Sequence, residues 1–200
     1  MTDARIMLAG GTLFDILDPE NSVFTIGDIA HGLARVCRFA GHTSHFYSVA
    51  EHSVHVARLV DPRLGRAALL HDASEAFIGD VTRPLKALLP DYRAIEDRIN
   101  VAIADRFLGD QPESLTHPSI KAADIVMAMV EARALMPEAE GFWIAQKQEV
   151  KALYPDTWQR AKHTRISCDK PEFATSAWLR AWHRYGHIEA QRAVDEREYV

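Results

Sequence analysis

Apolar residues recur along most of this chain at intervals of three and four, the period of helices that bury one face. The clearest run, Ile95, Ile99, Ile103 and Phe107, predicts a helix that stops at Gly109. Val49, His52, Val56 and Leu59 share one face of a predicted helix over residues 48–60. Pro62 suits the first turn of the next helix, which runs through Ala67, Leu70 and His71 and carries Glu75 on the same face. Further upstream, Thr25-Ile26-Gly27-Asp28 reads as a capped helix start, with Asp28 where Glu or Gln is usual, followed by Ile29, Leu33 and Val36. Pro118 and Ser119 open a helix bearing Ile120, Asp124, Met127 and Glu131 that ends near Pro137. Trp158 lies in the tail, and a final helix is expected from Pro171 to about Ala193.

Turn formers divide these segments. Gly10-Gly11 and Asp18-Pro19-Glu20-Asn21 bracket a strand-like stretch, Thr12 to Leu17, so residues 1–24 are expected to hold a small hairpin. Gly79 and Pro84 delimit a loop with Asp80, Val81 and Thr82, and the segment from Gln111 to Ser119, with its two prolines, reads as a connection. There is no internal repeat and no low-complexity tract. The expected architecture is mainly α, a single domain in which residues 25–200 form a bundle of about six to eight helices.

Composition narrows the function. The chain has 200 residues, 48% of them hydrophobic and 26% charged, which is a globular balance. A formal net charge of -5 argues against a nucleic-acid partner held by neutralising a phosphate backbone, though not against a small phosphorylated substrate. Cys37 and Cys168 make neither a disulfide framework nor a four-cysteine zinc site. The N-terminus lacks the pattern of a signal peptide and no apolar run is long enough to span a bilayer, so a cytoplasmic protein with no membrane association is expected.

The candidate chemistry sits at His71-Asp72. A His-Asp dipeptide carries little weight alone in a chain with ten histidines. This one ends the apolar run Ala67-Ala68-Leu69-Leu70, so both polar side chains leave a segment that is being buried. An imidazole and a carboxylate buried together are costly unless a positive charge lies between them, and a divalent metal supplies it. Glu75 and Asp80 follow, and neither Lys nor Arg occurs from His71 to Thr82, unlike a solvated charged face. His52 and Asp124 lie on the inward faces of other helices. Two imidazoles and two carboxylates suit one divalent ion of the Co, Mn, Zn, Fe or Mg group rather than a thiolate metal. His55, His42 and His45 are read as structural or loop residues, and Trp178 and Trp182 as packing on the last helix, at a subunit interface or within the fold. No P-loop, Gly-x-Ser-x-Gly or Gly-x-Gly-x-x-Gly motif offers another engine.

Ser48-Val49-Ala50-Glu51-His52-Ser53, His71-Asp72-Ala73-Ser74-Glu75 with Gly79-Asp80, and Lys121-Ala122-Ala123-Asp124 resemble the HD-domain phosphohydrolases. The resemblance is nearest to the 5'-deoxynucleotidase branch, which includes phage deoxynucleoside triphosphate triphosphohydrolases, and it covers roughly residues 38–136. It implies His52, His71, Asp72 and Asp124 as metal ligands, Glu75 as the group that positions or activates water, and Asp80 as the group that handles the leaving oxygen's proton. It also implies Lys86 and Lys121 at the phosphate, and Arg38-Phe39 in place of an Arg-Trp pair that contacts the nucleotide and crowds the sugar 2' position. Phe39 departs from that pattern, and the spacing to His52 is one residue shorter. The expected activity is metal-dependent release of phosphate from deoxynucleoside monophosphates, with release of triphosphate from deoxynucleoside triphosphates as the alternative. A non-catalytic nucleotide sensor and hydrolysis of another phosphoester are the further alternatives, and a homodimer or higher homo-oligomer is implied by the resemblance alone.

Overall fold

The computed structural model describes residues 3–109, 112–137 and 141–198, with the side chains of residues 112, 113 and 192–198 outside that description. Gln111, at the start of the predicted connection, also lies outside it. The fold is mainly α, and eight of the helices among the described residues are longer than one turn.

Strands β1 (Arg5–Met7) and β2 (Leu13–Asp15) pair antiparallel, with Ile6 opposite Phe14. This hairpin docks through one side chain. Phe14 is fully buried, stacks on Phe77 at 4.0 Å between ring centroids, and meets Phe24 edge-on at 5.4 Å. The N-terminal hairpin therefore braces the segment that holds Glu75, from behind.

Helix α1 (Ile26–Leu33) begins with the predicted cap: the Thr25 hydroxyl accepts from the Asp28 backbone N–H, and Asp28 accepts from the Thr25 backbone N–H. Asp serves where Glu or Gln is usual because its carboxylate also accepts from the Thr25 hydroxyl, at 2.7 Å. Helix α2 (Val49–Leu59) is capped by the Ser48 hydroxyl and is the axis of the molecule, with Arg58 as its one exposed residue. Its sequence predicts one apolar face, whereas the structure buries every side of it against neighbouring helices.

The next segment differs from its sequence pattern. Instead of one helix through Glu75, α3 (Gly65–Leu70) stops before His71, and α4 (Glu75–Ile78) is separate. Across the junction the backbone bonds span three residues: Ala73 to Leu70, Glu75 to Asp72, Ala76 to Ala73 and Phe77 to Ser74. At three residues per turn, Asp72 and Glu75 eclipse each other and face the same way. Glu75 thus keeps its side of the chain, for a different local reason. Gly79 ends α4 at φ 77°, a conformation that favours glycine. Close packing fixes α4 from the other side, since a Cβ on Gly32 of α1 would meet the Ala76 Cβ and carbonyl oxygen at 2.8 Å.

Helix α5 (Arg83–Lys86) is one turn, and α6 (Pro90–Leu108) ends at Gly109 in a left-handed conformation, as the sequence predicts. The described part of the connection contains a 3-10 helix, Pro112–Thr116. Helix α7 (Pro118–Leu135) is followed by α8 (Phe142–Leu153) and α9 (Pro155–Ala161), neither of which the apolar pattern predicts. The reason is visible in α8, where Phe142, Ile144 and Leu153 are exposed and Val150 is the buried position. Helix α10 (Pro171–Glu198) carries Trp178 and Trp182 stacked at 5.9 Å and buried in the core, which places them within the fold. Among the described residues no helix is long and apolar enough to cross a membrane.

Candidate metal centre

His52, His71, Asp72 and Asp124 each present one donor atom, and the four atoms lie within 4.8 Å of one another. Three separate stretches of chain bring them together: α2 supplies His52, the tight turn after α3 supplies His71 and Asp72, and α7 supplies Asp124. His52 Nε2 is 3.1 Å from Asp124 Oδ1 and 3.8 Å from Asp72 Oδ2, and His71 Nε2 is 3.1 Å from Asp72 Oδ2.

The outer nitrogens set the tautomers. His71 Nδ1 donates to the Ala68 carbonyl oxygen at 2.8 Å, which leaves Nε2 as the lone-pair nitrogen. His52 Nδ1 meets Glu131 Oε1 at 2.6 Å, so its Nε2 also faces inward. Both Nε2 atoms are buried with no well-aligned hydrogen bond, each facing a carboxylate oxygen at 3.1 Å. Buried polar atoms are rarely left so, and two of them aimed at one point beside two carboxylates form a donor set that fits a cation. The imidazoles are closed off, whereas Asp72 and Asp124 keep 21% and 24% of their side-chain surface, so the centre opens on the carboxylate side.

Arg38 enters this group. It sits in the 3-10 turn Arg38–Gly41, where Phe39 and Ala40 take positive φ values of 55° and 51°. Its guanidinium is 3.4 Å from Asp72, 3.9 Å from Asp124 and 3.5 Å from Glu131. Burial works against the charge, but Glu131, Asp72 and Asp124 together hold the guanidinium more firmly protonated than usual. Asp72, Asp124 and Glu131 are all kept below the ordinary carboxylate range despite burial, chiefly by His71 for Asp72, by His52 for the other two, and with help from Arg38 at Asp72 and Glu131. With both imidazoles neutral, as cation binding requires, three carboxylates against one guanidinium leave two negative charges, which one divalent cation balances. Without a cation the same field acts on His52: burial and Arg38 oppose its protonation, yet Glu131 and Asp124 push its pKa up to about 9.

Glu75 and Asp80 border the group. Glu75 is buried with Oε2 unpartnered, and its carboxyl is raised well above the usual range by burial, then by Asp72 and Asp80. Asp80 is also raised, by burial and Asp72, against the pull of Arg38 and Lys86. Lys86 is near enough to feel Glu75 and Asp72 but spends its ammonium on Glu96 of α6, at 2.6 Å. Lys121 is exposed on α7, one turn before Asp124. Phe39 is half-buried, with the Arg38 guanidinium 5.6 Å from its ring centre. His42 and His45 lie exposed in the loop before α2, and His55 is buried, 3.6 Å from Glu51. A cleft of about 320 Å³ opens between Leu59, Pro118 and Arg160, and none of the four donor residues lines it.

Three residues of this region are not singled out by sequence. Glu131 is fully buried, and its Oε1 accepts from Tyr47 at 2.8 Å as well as meeting His52. Its one sequence signal is position: seven residues after Asp124, two turns along the same face of α7. Tyr47, equally buried, gives no signal of its own. Glu51 accepts from the backbone N–H groups of Ser167, Cys168 and Asp169 at 2.7, 3.2 and 2.8 Å, tying the α9–α10 linker to the back of α2.

No family model matches the chain. The uncharacterized protein YfdR of Escherichia coli (strain K12) is 44% identical to it over 65% of this chain and 70% of its own length. An uncharacterized protein of Rhodobacter capsulatus is also 44% identical, over 64% of this chain and 71% of its own. The chain belongs to the family that these proteins represent.

Proposed function

We propose that this member of the family that includes YfdR is a divalent-metal-dependent hydrolase of nucleotide phosphoesters, with deoxynucleoside monophosphates as substrates and phosphate as product. The observation that carries it is the convergence of His52, His71, Asp72 and Asp124, with both imidazole Nε2 atoms buried and aimed at the carboxylates. The resemblance of these segments to HD-domain phosphohydrolases supplies the substrate class.

A divalent ion held by the four residues supplies Lewis acidity, which neutralises phosphate charge and makes water nucleophilic near neutral pH. The remaining work falls to this chain's own groups. Phosphoryl hydrolysis needs positioning and charge neutralisation more than a protein nucleophile. Glu75, buried beside Asp72, orients the attacking water, and a cation at Asp72 would offset the repulsion that keeps its carboxyl protonated and so free it to take the water's proton. Asp80 keeps a proton more readily than an ordinary carboxyl and delivers it to the leaving 5' oxygen. Both carboxyls hold a proton more readily than usual, which brings them towards the pH at which they would exchange it. Arg38, already against the carboxylates, meets a substrate oxygen on the open side of the centre. Lys86 neutralises phosphate after exchanging its bond with Glu96.

The test is an assay of the purified protein with the deoxynucleoside mono- and triphosphates in the presence of Mn or Co, scoring each released product. Inorganic phosphate from monophosphates is expected. Triphosphate released from triphosphates would move the substrate to the longer phosphate chain. Hydrolysis of none of them would remove the nucleotidase assignment.

A further inference from the structure

We propose that Glu131 is a positioning residue for the metal centre: with Tyr47 and Arg38 it fixes the tautomer and ring orientation of His52 and so sets the affinity of the centre for its ion. This deepens the metal-centre assignment above and rests on it.

Glu131 has no access to solvent, and a fully buried carboxylate on a helix needs several partners to be tolerated. Its partners are all functional neighbours. Oε1 receives the Tyr47 hydroxyl at 2.8 Å and His52 Nδ1 at 2.6 Å, a short, charge-assisted geometry. The guanidinium of Arg38 lies 3.5 Å from Oε2. A carboxylate has no proton to give, so the proton of this contact must be on His52 Nδ1, and in the neutral imidazole that a cation requires the lone pair is on Nε2, which points at Asp72 and Asp124. The bond also raises the donor strength of Nε2, because the carboxylate stabilises positive charge that develops on the ring. His71 is held by a backbone carbonyl instead, which is neutral and cannot do this to the same degree.

Glu131 links the two sides of the centre as well. Arg38 spans Glu131 and Asp72, so the carboxylate behind His52 also places the guanidinium that lies against the donor carboxylates. No other ionised side chain among the described residues touches both His52 and Arg38 from behind the donor set.

Glu131→Gln keeps the shape and removes the charge. Direct titration with Co, followed by its visible absorption, should show affinity lower by about 10- to 100-fold than in the wild type. Long-range 1H–15N spectra of the Zn-loaded protein should show a single Nδ1–H tautomer for His52 in the wild type and loss of that single form in the variant. Glu131→Asp, which restores the charge at a shorter reach, should recover part of the affinity. Tyr47→Phe removes one bond to the same oxygen, and a loss of a few-fold is expected even if Glu131→Gln fails to fold. Wild-type-like Co affinity in a folded Glu131→Gln, with the His52 tautomer unchanged, would overturn the positioning role and leave the metal centre standing. Absence of Co binding by the wild type would overturn both. Equal loss in Glu131→Gln and Glu131→Asp with His52 still in its single tautomer would also overturn it, because a packing defect would then explain the loss.

Discussion

His71 and Asp72 are adjacent in the chain, yet His71 Nε2 and Asp72 Oδ2 converge to 3.1 Å. Neighbours inside a regular helix point about 100° apart around the axis and do not face each other. They meet here through side-chain reach: His71 keeps a helical φ of -59° and ψ of -31°, and its imidazole turns across to the neighbouring carboxylate. What the end of α3 adds is Glu75 on the side of Asp72, because the backbone bonds beyond Leu70 span three residues.

Removing one of these donors should empty the centre. Asp72→Ala is expected to lower metal affinity by more than about 100-fold, since a directly bound carboxylate counts for more than the outer contacts whose loss costs 10- to 100-fold. Elemental analysis after dialysis checks it. Full metal content in the variant would contradict the coordination.

Glu75 has a separable task. Glu75→Gln should leave the metal content near wild type and lower kcat/KM by about 100- to 10,000-fold, the range expected of a general base. Unchanged turnover would take the water-handling role away from Glu75. The electrostatic setting also predicts that the variant folds at least as firmly, because burial and the neighbouring carboxylates already disfavour a charge at this position.

His52 gives a pH dependence with a definite sign. Its pKa stands at about 9 in the folded protein, above the unfolded value near 6.5. The folded state therefore binds a proton that the unfolded state releases earlier. The stability this contributes is complete below pH 6.5 and declines as pH rises towards 9, with an upper bound of about 3 kcal/mol. Thermal melts of the chelator-treated protein from pH 6 to pH 9.5 should show Tm falling across that window. Added divalent ion should flatten the curve, because it replaces the proton at Nε2. A flat profile in chelator would contradict the charge balance of the centre.

Glu51 holds the C-terminal part of the fold. Glu51→Ala strips the acceptor from three consecutive backbone N–H groups, at Ser167, Cys168 and Asp169. A loss of about 2–4 kcal/mol is expected, because bonds to a buried charge are strong and their orphaned donors are costly. Thermal melting should drop on the order of 5–10 °C, and hydrogen exchange at residues 167–169 should accelerate. Protection unchanged at those amides would show that the linker is held by other contacts.

Much of the architecture is legible in the residue pattern. The cap at Thr25, the four-residue repeat of α6 and its glycine stop, and the Pro118 start of α7 are local signals, and each needs only neighbouring residues to act. Helices α8 and α9 are not legible, because a helix that buries one or two side chains has no apolar stripe to read. The break at His71 is hidden for a related reason. Residues 66–78 contain neither Gly nor Pro to mark an end, and α4 beyond the break is held by packing, Phe77 against the hairpin and Ala76 against Gly32.

The four metal-ligand candidates could be chosen from sequence because a metal needs imidazole and carboxylate together, and few positions place them among apolar residues. Their meeting within 4.8 Å belongs to the tertiary structure, since it depends on how α2, α7 and the turn after α3 cross. The same division separates Asp124 from Glu131. Both lie on one face of α7, but a carboxylate's role is set by what it meets, and Tyr47, His52 and Arg38 reach Glu131 from 79 to 93 residues away. Composition and periodicity determined that this chain would be helical and would carry imidazole and carboxylate groups suited to a cation. Which carboxylate faces the centre and which one braces it was decided by the packing of the helices, because charge and hydrogen bonding act through space and the sequence records only order along the chain.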